Sequence, residues 1–213
     1  MAGKIAFLMV VGKHTFFSIN GDASLTLQDI ILQNGYANRG GAISNDGTLT
    51  LNNSTFTGNS AQHGGAISNS RTLTISNTTF TENSADFGGA IHNFDVLTIT
   101  DSVFTENTAR FGGAISNFGT LTITNGTFTK NVAKEEGGAI RTELTVTPSS
   151  YTATIADSTF SDNLSLGVGD ALFALGSASS ENSLYENNAC VTDEGFINNG
   201  GNTAENAEGC PNG

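Results

Sequence analysis

The chain has 213 residues, with 20 Asp plus Glu against 8 Lys plus Arg and a formal charge of −12, which excludes a basic nucleic-acid-binding surface. Its 26 Gly, 28 Thr and 24 Asn, against 2 Pro, no Trp and 13% charged residues, favour turns and strands over a helical bundle or coiled coil. At 37% hydrophobic, with 14 Phe as the main large side chains, the chain is lean for a broad globular core and suits a narrow, repetitive one.

The first apolar run, Ile5 to Val11, has seven residues, far short of the ~20 that span a bilayer as a helix. Lys4 precedes it as in a signal peptide, but no small-x-small cleavage site follows before Gly12-Lys13-His14, so a strand of a first coil is expected there.

From residue 17 onward the chain repeats. Gly-Gly-Ala-Ile begins at Gly40, Gly64, Gly88, Gly112 and Gly137, at spacings of 24, 24, 24 and 25. In register with it stands Phe-x-x-Asn, at Phe56/Asn59, Phe80/Asn83, Phe104/Asn107, Phe128/Asn131 and Phe160/Asn163. Between the two lie alternating segments with apolar pairs Leu49/Leu51, Leu73/Ile75, Leu97/Ile99 and Leu121/Ile123. Weaker copies extend the array: Phe17/Ile19 aligned with Gly41/Ile43, Leu25/Leu27 and Ile31/Asn34 before it, and Gly169-Asp170-Ala171-Leu172 and Leu184/Asn187 after it. The interval from Ile140 to Ile155 is seven residues longer than its counterparts and carries Pro148-Ser149-Ser150, which reads as a loop insertion at about 142–150.

Each unit holds three short segments of period two, for example 41–45, 48–52 and 55–59, and none has a helical period. Such strands cannot satisfy their backbones within one unit and need a copy above and below. The expected fold is therefore all-β: a parallel β-helix of about seven 24-residue coils with three strands each, over residues 1–188. Residues 189–213 are expected to form a cap, with Cys190 and Cys210 joined as a disulfide of the kind found in extracellular proteins, two free thiols being the alternative.

In this geometry the Phe-x-x-Asn phenylalanines stack inward as one column and Ile43, Ile67, Ile91, Ile115 and Ile140 as another. Asn59, Asn83, Asn107, Asn131 and Asn163 are expected to form a structural amide ladder, with Asn45, Asn69, Asn93 and Asn117 as a second one. Asp29, Asn53, Asn77, Asp101, Asn125 and Asp157 close each middle strand as turn residues.

The paired motifs, with Gly-Thr-Leu-Thr-Leu-Asn-Asn-Ser-Thr-Phe at 47–56, resemble the chlamydial polymorphic outer membrane protein repeat and similar right-handed β-helix surface proteins. The resemblance covers residues 17–187. It implies a right-handed solenoid, a location outside the cell or on a bacterial surface in association with the outer membrane, and an adhesive or structural passenger role without catalysis. After residue 187 no stretch alternates over ten residues as the strands of a membrane barrel do.

Catalysis on such a scaffold, as in a polysaccharide lyase or hydrolase, requires convergent acids and a base. Here the densest polar patch stacks Glu82, Glu106 and Lys130 beside Asp86, Arg110 and Lys134, with Glu135 and Glu136, and reads as cross-strand charge pairing. His14, His63 and His92 share no ligand spacing. No catalytic residue, cofactor or metal is therefore assigned.

Two exposed series are candidates for binding. Because the leucines point inward, Thr48, Thr50, Thr72, Thr74, Thr98, Thr120 and Thr122 point outward, in a grid similar to that of ice-binding solenoids, although strand propensity alone favours threonine there. Phe87 and Phe111 belong to a series just before each glycine pair (Arg39, His63, Phe87, Phe111, Glu136), with Phe94 and Phe118 on the neighbouring corner. These rings either stack on sugars or partner proteins, or fold back over the coil edge. The expected partner is a surface protein or glycan, with ice as the alternative.

Overall fold

A computed structural model describes residues 14–143, 152–175 and 178–188, together with the strands Phe196–Asn198 and Thr203–Glu205. The N-terminal run, most of the expected insertion and both cysteines lie outside the described residues. All regular structure within them is strand, and every pairing is parallel between successive coils.

The repeat acts through what each residue does to the backbone. In the coil from Ile67, the chain runs Ile67–Asn69, Thr72–Ser76, Thr79–Thr81 and Ser84–Phe87. Copies of these four segments align into four sheets of seven, eight, eight and six strands, called A, B, C and D in that order. There are thus about seven coils, with four strands in each rather than three. The fourth, exemplified by Ser60–His63, Ser84–Phe87 and Thr108–Phe111, is short of apolar inward residues. The inward position holds a small residue, as Ala109, Ala133 and Ser165 do, so the segment carries no strong alternation.

Three corners separate the strands by left-handed backbone, where a side chain is strained unless it is Gly, Asn or Asp. Asp29, Asn53, Asn77, Asp101, Asn125 and Asp157 take φ of 48 to 55° between sheets B and C. The first glycine of each pair takes 57 to 66° from Gly40 to Gly137. The second glycine meets a different demand. A Cβ on Gly89 would lie 2.1 Å from the Gly113 carbonyl oxygen of the next coil. The corner between sheets C and D holds Asn34, Gly58, Glu82, Glu106, Lys130, Asp162 and Asn187, all left-handed, so Glu82, Glu106 and Lys130 are turn residues as well as a charge stack.

Inside, Phe56, Phe80, Phe104, Phe128 and Phe160 are fully buried and stack at 4.8 to 4.9 Å between ring centroids, the spacing of the coils themselves. Tyr185 continues the column at 5.0 Å. The five isoleucines and the Leu/Ile pairs fill the rest of the same core.

The weak copies are shifted from their expected alignment. Leu32, not Ile31, lies opposite Phe56, and Gly35 takes the ladder position. Tyr185 and Asn188, not Leu184 and Asn187, continue the two columns. Phe17 pairs with Ile43 and Ile19 with Asn45. Leu32 and Gly35 keep the 24-residue count to Phe56 and Asn59, whereas Tyr185, 25 residues after Phe160, and Phe17, 26 before Ile43, depart from it. The single 25-residue interval has a local cause: Ala109 pairs with Ala133 but Phe111 with Glu136, a bulge that separates Lys134 from Arg110 and lets Glu135 pair with Arg110 at 2.6 Å. At the far end, Phe196–Asn198 extends sheet B and Thr203–Glu205 extends sheet C, so solenoid strands continue into the expected cap region.

Candidate functional site

Buried polar side chains make most of their hydrogen bonds along the axis. In the ladder from Asn59 to Asn188, each Nδ2 donates to the next coil's Oδ1 at 2.9 to 3.2 Å. Asn45, Asn69, Asn93 and Asn117 form the second ladder at 2.6 to 2.7 Å, and Asn117 Nδ2 donates to Thr142 Oγ1 at 2.9 Å. A third ladder, of hydroxyls, was hidden by its variable identity. The Ser54 backbone N–H donates to Thr78 Oγ1, Thr78 to Ser102 Oγ and Ser158 to Ser183 Oγ. All of these residues serve the fold.

Outside, the threonines lie in the expected array. Thr26, Thr50, Thr74, Thr98, Thr122 and Thr154 are register partners in sheet B. Thr48, Thr72, Val96 and Thr120 form the adjacent row.

Sheet A carries a different outer surface. Ser44, Ser68, His92, Ser116 and Arg141 follow one another in register along its outer face. On one side rise His63, Phe87 and Phe111, stacked at 5.3 and 5.2 Å. On the other stand Phe94 and Phe118, 5.8 Å apart. Phe87 and Phe111 therefore fold back over the coil edge toward sheet A. His92 fills the space between the walls, edge-on to Phe94 at 4.3 Å and 5.7 Å from Phe87. The Arg141 guanidinium lies 5.2 Å from the centres of both Phe111 and Phe118, a cation–π arrangement, while Glu136 and Glu143 accept its hydrogen bonds at 2.7 and 2.5 Å.

Among the described residues, five buried side-chain polar atoms lack a hydrogen-bond partner: His63 Nδ1, Ser68 Oγ, His92 Nδ1, Ser116 Oγ and Arg141 Nη1. All five belong to this one groove. Unmade hydrogen bonds of this kind are costly in a structural core, and their convergence distinguishes this face from the three satisfied ladders. Burial, then the charges of His63, Arg39 and Arg141, push the His92 pKa down to about 3, against a hydrogen bond to the Ser116 backbone. Burial and then Arg39 lower that of His63, with Asp86 opposing. Both imidazoles are therefore neutral at pH 7 and leave an acceptor nitrogen.

The groove opens where serine replaces rings. Around Arg39 and Ser70 lies a depression of about 490 Å³ lined by Asn38, Arg39, His63, Ser70 and Phe94. A larger depression over sheet D, about 650 Å³, shares Asn38 and is bordered by Tyr36, Gln62 and Asp86. No group of three or more His, Cys, Asp or Glu side chains suited to a metal occurs among the described residues. The sequence pointed to Phe87 and Phe111 but not to His92, Ser68, Ser116 or Arg141. These occupy a Ser-like position within otherwise regular repeats, and the departure from serine at His92 and Arg141 is the signal that was available.

A family model described as "Right handed beta helix region" matches residues 39–210. No curated protein and no solved structure matches the chain.

Proposed function

The chain belongs to the right-handed β-helix family, and from that premise we propose that it is a non-enzymatic binding module, of the adhesin or passenger type, acting outside the cell or on a bacterial surface. The GGAI and FxxN repeats, similar to the chlamydial polymorphic outer membrane protein repeat, support the location. The observation that carries the binding role is the clustering of unpartnered polar atoms in one groove walled by Phe87, Phe111, Phe94 and Phe118. Aromatic walls with polar groups between them suit a glycan or a protein surface, and a rigid solenoid repeats such contacts along its length. The test is binding of the folded protein to a glycan array and to cell surfaces, with Phe87→Ala/Phe111→Ala as the variant. Loss of binding with the fold intact supports the groove, and unchanged binding counts against it.

The unbroken rank from Thr26 to Thr154 favours a second reading, ice binding, since outward threonines recur with the coil spacing of about 4.8 Å. Thermal hysteresis in concentrated folded protein is its requirement, and absence of hysteresis removes it. A polysaccharide lyase, the remaining alternative, would show as release of unsaturated sugars from uronate polymers.

A further inference from the structure

Resting on the reading of the sheet A groove as a binding face, we propose that its open end receives a terminal sugar bearing a carboxylate, with Arg39 as the group that holds the charge.

Both outer aromatic columns end at this depression. Arg39 follows below His63 in register, and Ser70 stands one coil below Phe94, each anchored by its backbone N–H to the preceding coil. The Phe94 ring is 41% exposed. Arg39 Nη2 reaches across to donate to Ser70 Oγ at 2.9 Å, and its guanidinium carbon lies 5.8 Å from the Phe94 ring centre. That distance is at the outer limit of a cation–π contact.

The charge pattern selects the ligand. Among the described residues, Arg71, Arg110 and Arg141 each have a carboxylate partner, whereas Arg39 has only the Ser70 hydroxyl. A guanidinium with spare N–H groups pairs bidentately with a carboxylate, and an arginine left without an acid in a chain of charge −12 is the complement to an anion. The volume, about 490 Å³, falls in the range of small-ligand sites. His63, which lines the depression, has an unpartnered Nδ1. A pyranose matches this set: C–H bonds against the rings, hydroxyls to serine, asparagine and imidazole, and one carboxylate to Arg39. Because Asp86 lies close enough to act on His63 and the protein is acidic overall, a polyanion is repelled, and a single charge at a chain end is favoured.

The test is calorimetric titration of the full chain with trisaccharides that differ only at the terminus: N-acetylneuraminic acid, glucuronic acid, the methyl ester of each, and galactose. Binding of one or both acids, weakened roughly tenfold or more by esterification and by Arg39→Gln, supports the proposal, and the two acids distinguish the kinds of sugar. Arg39 is exposed, so the unfolding midpoint of Arg39→Gln should match that of the parent. Equal binding of acid and ester, no effect of Arg39→Gln, or no binding of any acid-ended probe overturns it. If glycan or cell-surface binding is lost in Phe87→Ala/Phe111→Ala but is indifferent to the carboxylate and to Arg39, the binding-module reading stands and this assignment fails.

Discussion

Asn83 and Asn107 are joined twice: the Asn107 Oδ1 accepts the Asn83 backbone N–H at 3.1 Å and the Asn83 Nδ2 at 3.0 Å. One side chain thus satisfies both the turn and the amide of the coil before it, while its own Nδ2 donates to the Phe80 carbonyl at 3.0 Å and to Asn131 Oδ1 at 2.9 Å. Asn107→Ala strands the Asn83 N–H groups and the Phe80 carbonyl in the coil before and removes a donor from Asn131 in the coil after, so a loss of about 2–4 kcal/mol in urea unfolding is expected. Asn107→Asp should cost at least as much, because a carboxylate cannot donate to Phe80 or Asn131. A loss under about 1 kcal/mol for both would show that the ladder is not what holds these turns.

The two phenylalanine columns differ in burial and so in energetic weight. Phe104 is fully buried between Phe80 and Phe128, and Phe104→Ala should destabilise by about 3–5 kcal/mol through lost burial and a cavity. Phe87, half-buried on the outside, should cost less than half as much when changed to Ala. Equal losses would place the outer column in the core and undermine its reading as a binding wall.

His92 makes stability depend on pH. It is 2% exposed, with a pKa lowered from 6.5 to about 3, so the unfolded state binds more protons throughout that window. Stability is complete above pH 6.5 and declines as pH falls toward 3. His92→Ser, which installs the residue found at this place in the adjacent coils, should flatten the decline by up to about 1.4 kcal/mol per pH unit between about pH 4 and 6. An unchanged slope would mean that His92 is not the group responsible.

Two glycines separate steric need from conformational need. Gly89→Ala would force a Cβ to 2.1 Å from a backbone oxygen and 2.8 Å from the Thr108 backbone; destabilisation of at least about 3 kcal/mol, or failure to fold, is expected. Gly58 has φ +62°, with only the Asn34 Oδ1 at 3.1 Å from an added Cβ, and its counterparts in other coils are Asn34, Glu82 and Glu106. Gly58→Asn should be neutral or stabilise by up to about 1 kcal/mol, read as the thermal midpoint. A large loss there would show that the corner depends on glycine after all.

The solenoid, its inward columns and two of its three ladders are legible in the amino-acid order, because a residue repeated every 24 positions meets its own copy across a parallel strand pair. Where identity varies, that signal fades. Leu32 holds a phenylalanine position under a different residue type, Tyr185 holds one that a fixed count of 24 assigns to Leu184, and a hydroxyl ladder of Ser54, Thr78 and Ser102 is spelled with two residue types. The fourth strand was invisible because a residue as small as alanine or serine does not mark an inward face. The groove required tertiary structure for a further reason: His63, Ser68, His92 and Arg141 are separated along the chain and converge only when coils stack and corners turn. Repetition alone determined the rod, since each coil needs only a copy of itself as partner; the irregular outer face, where Arg39 meets Phe94 and His92 fills a place held by serine in the coils beside it, was decided by packing between non-equivalent residues.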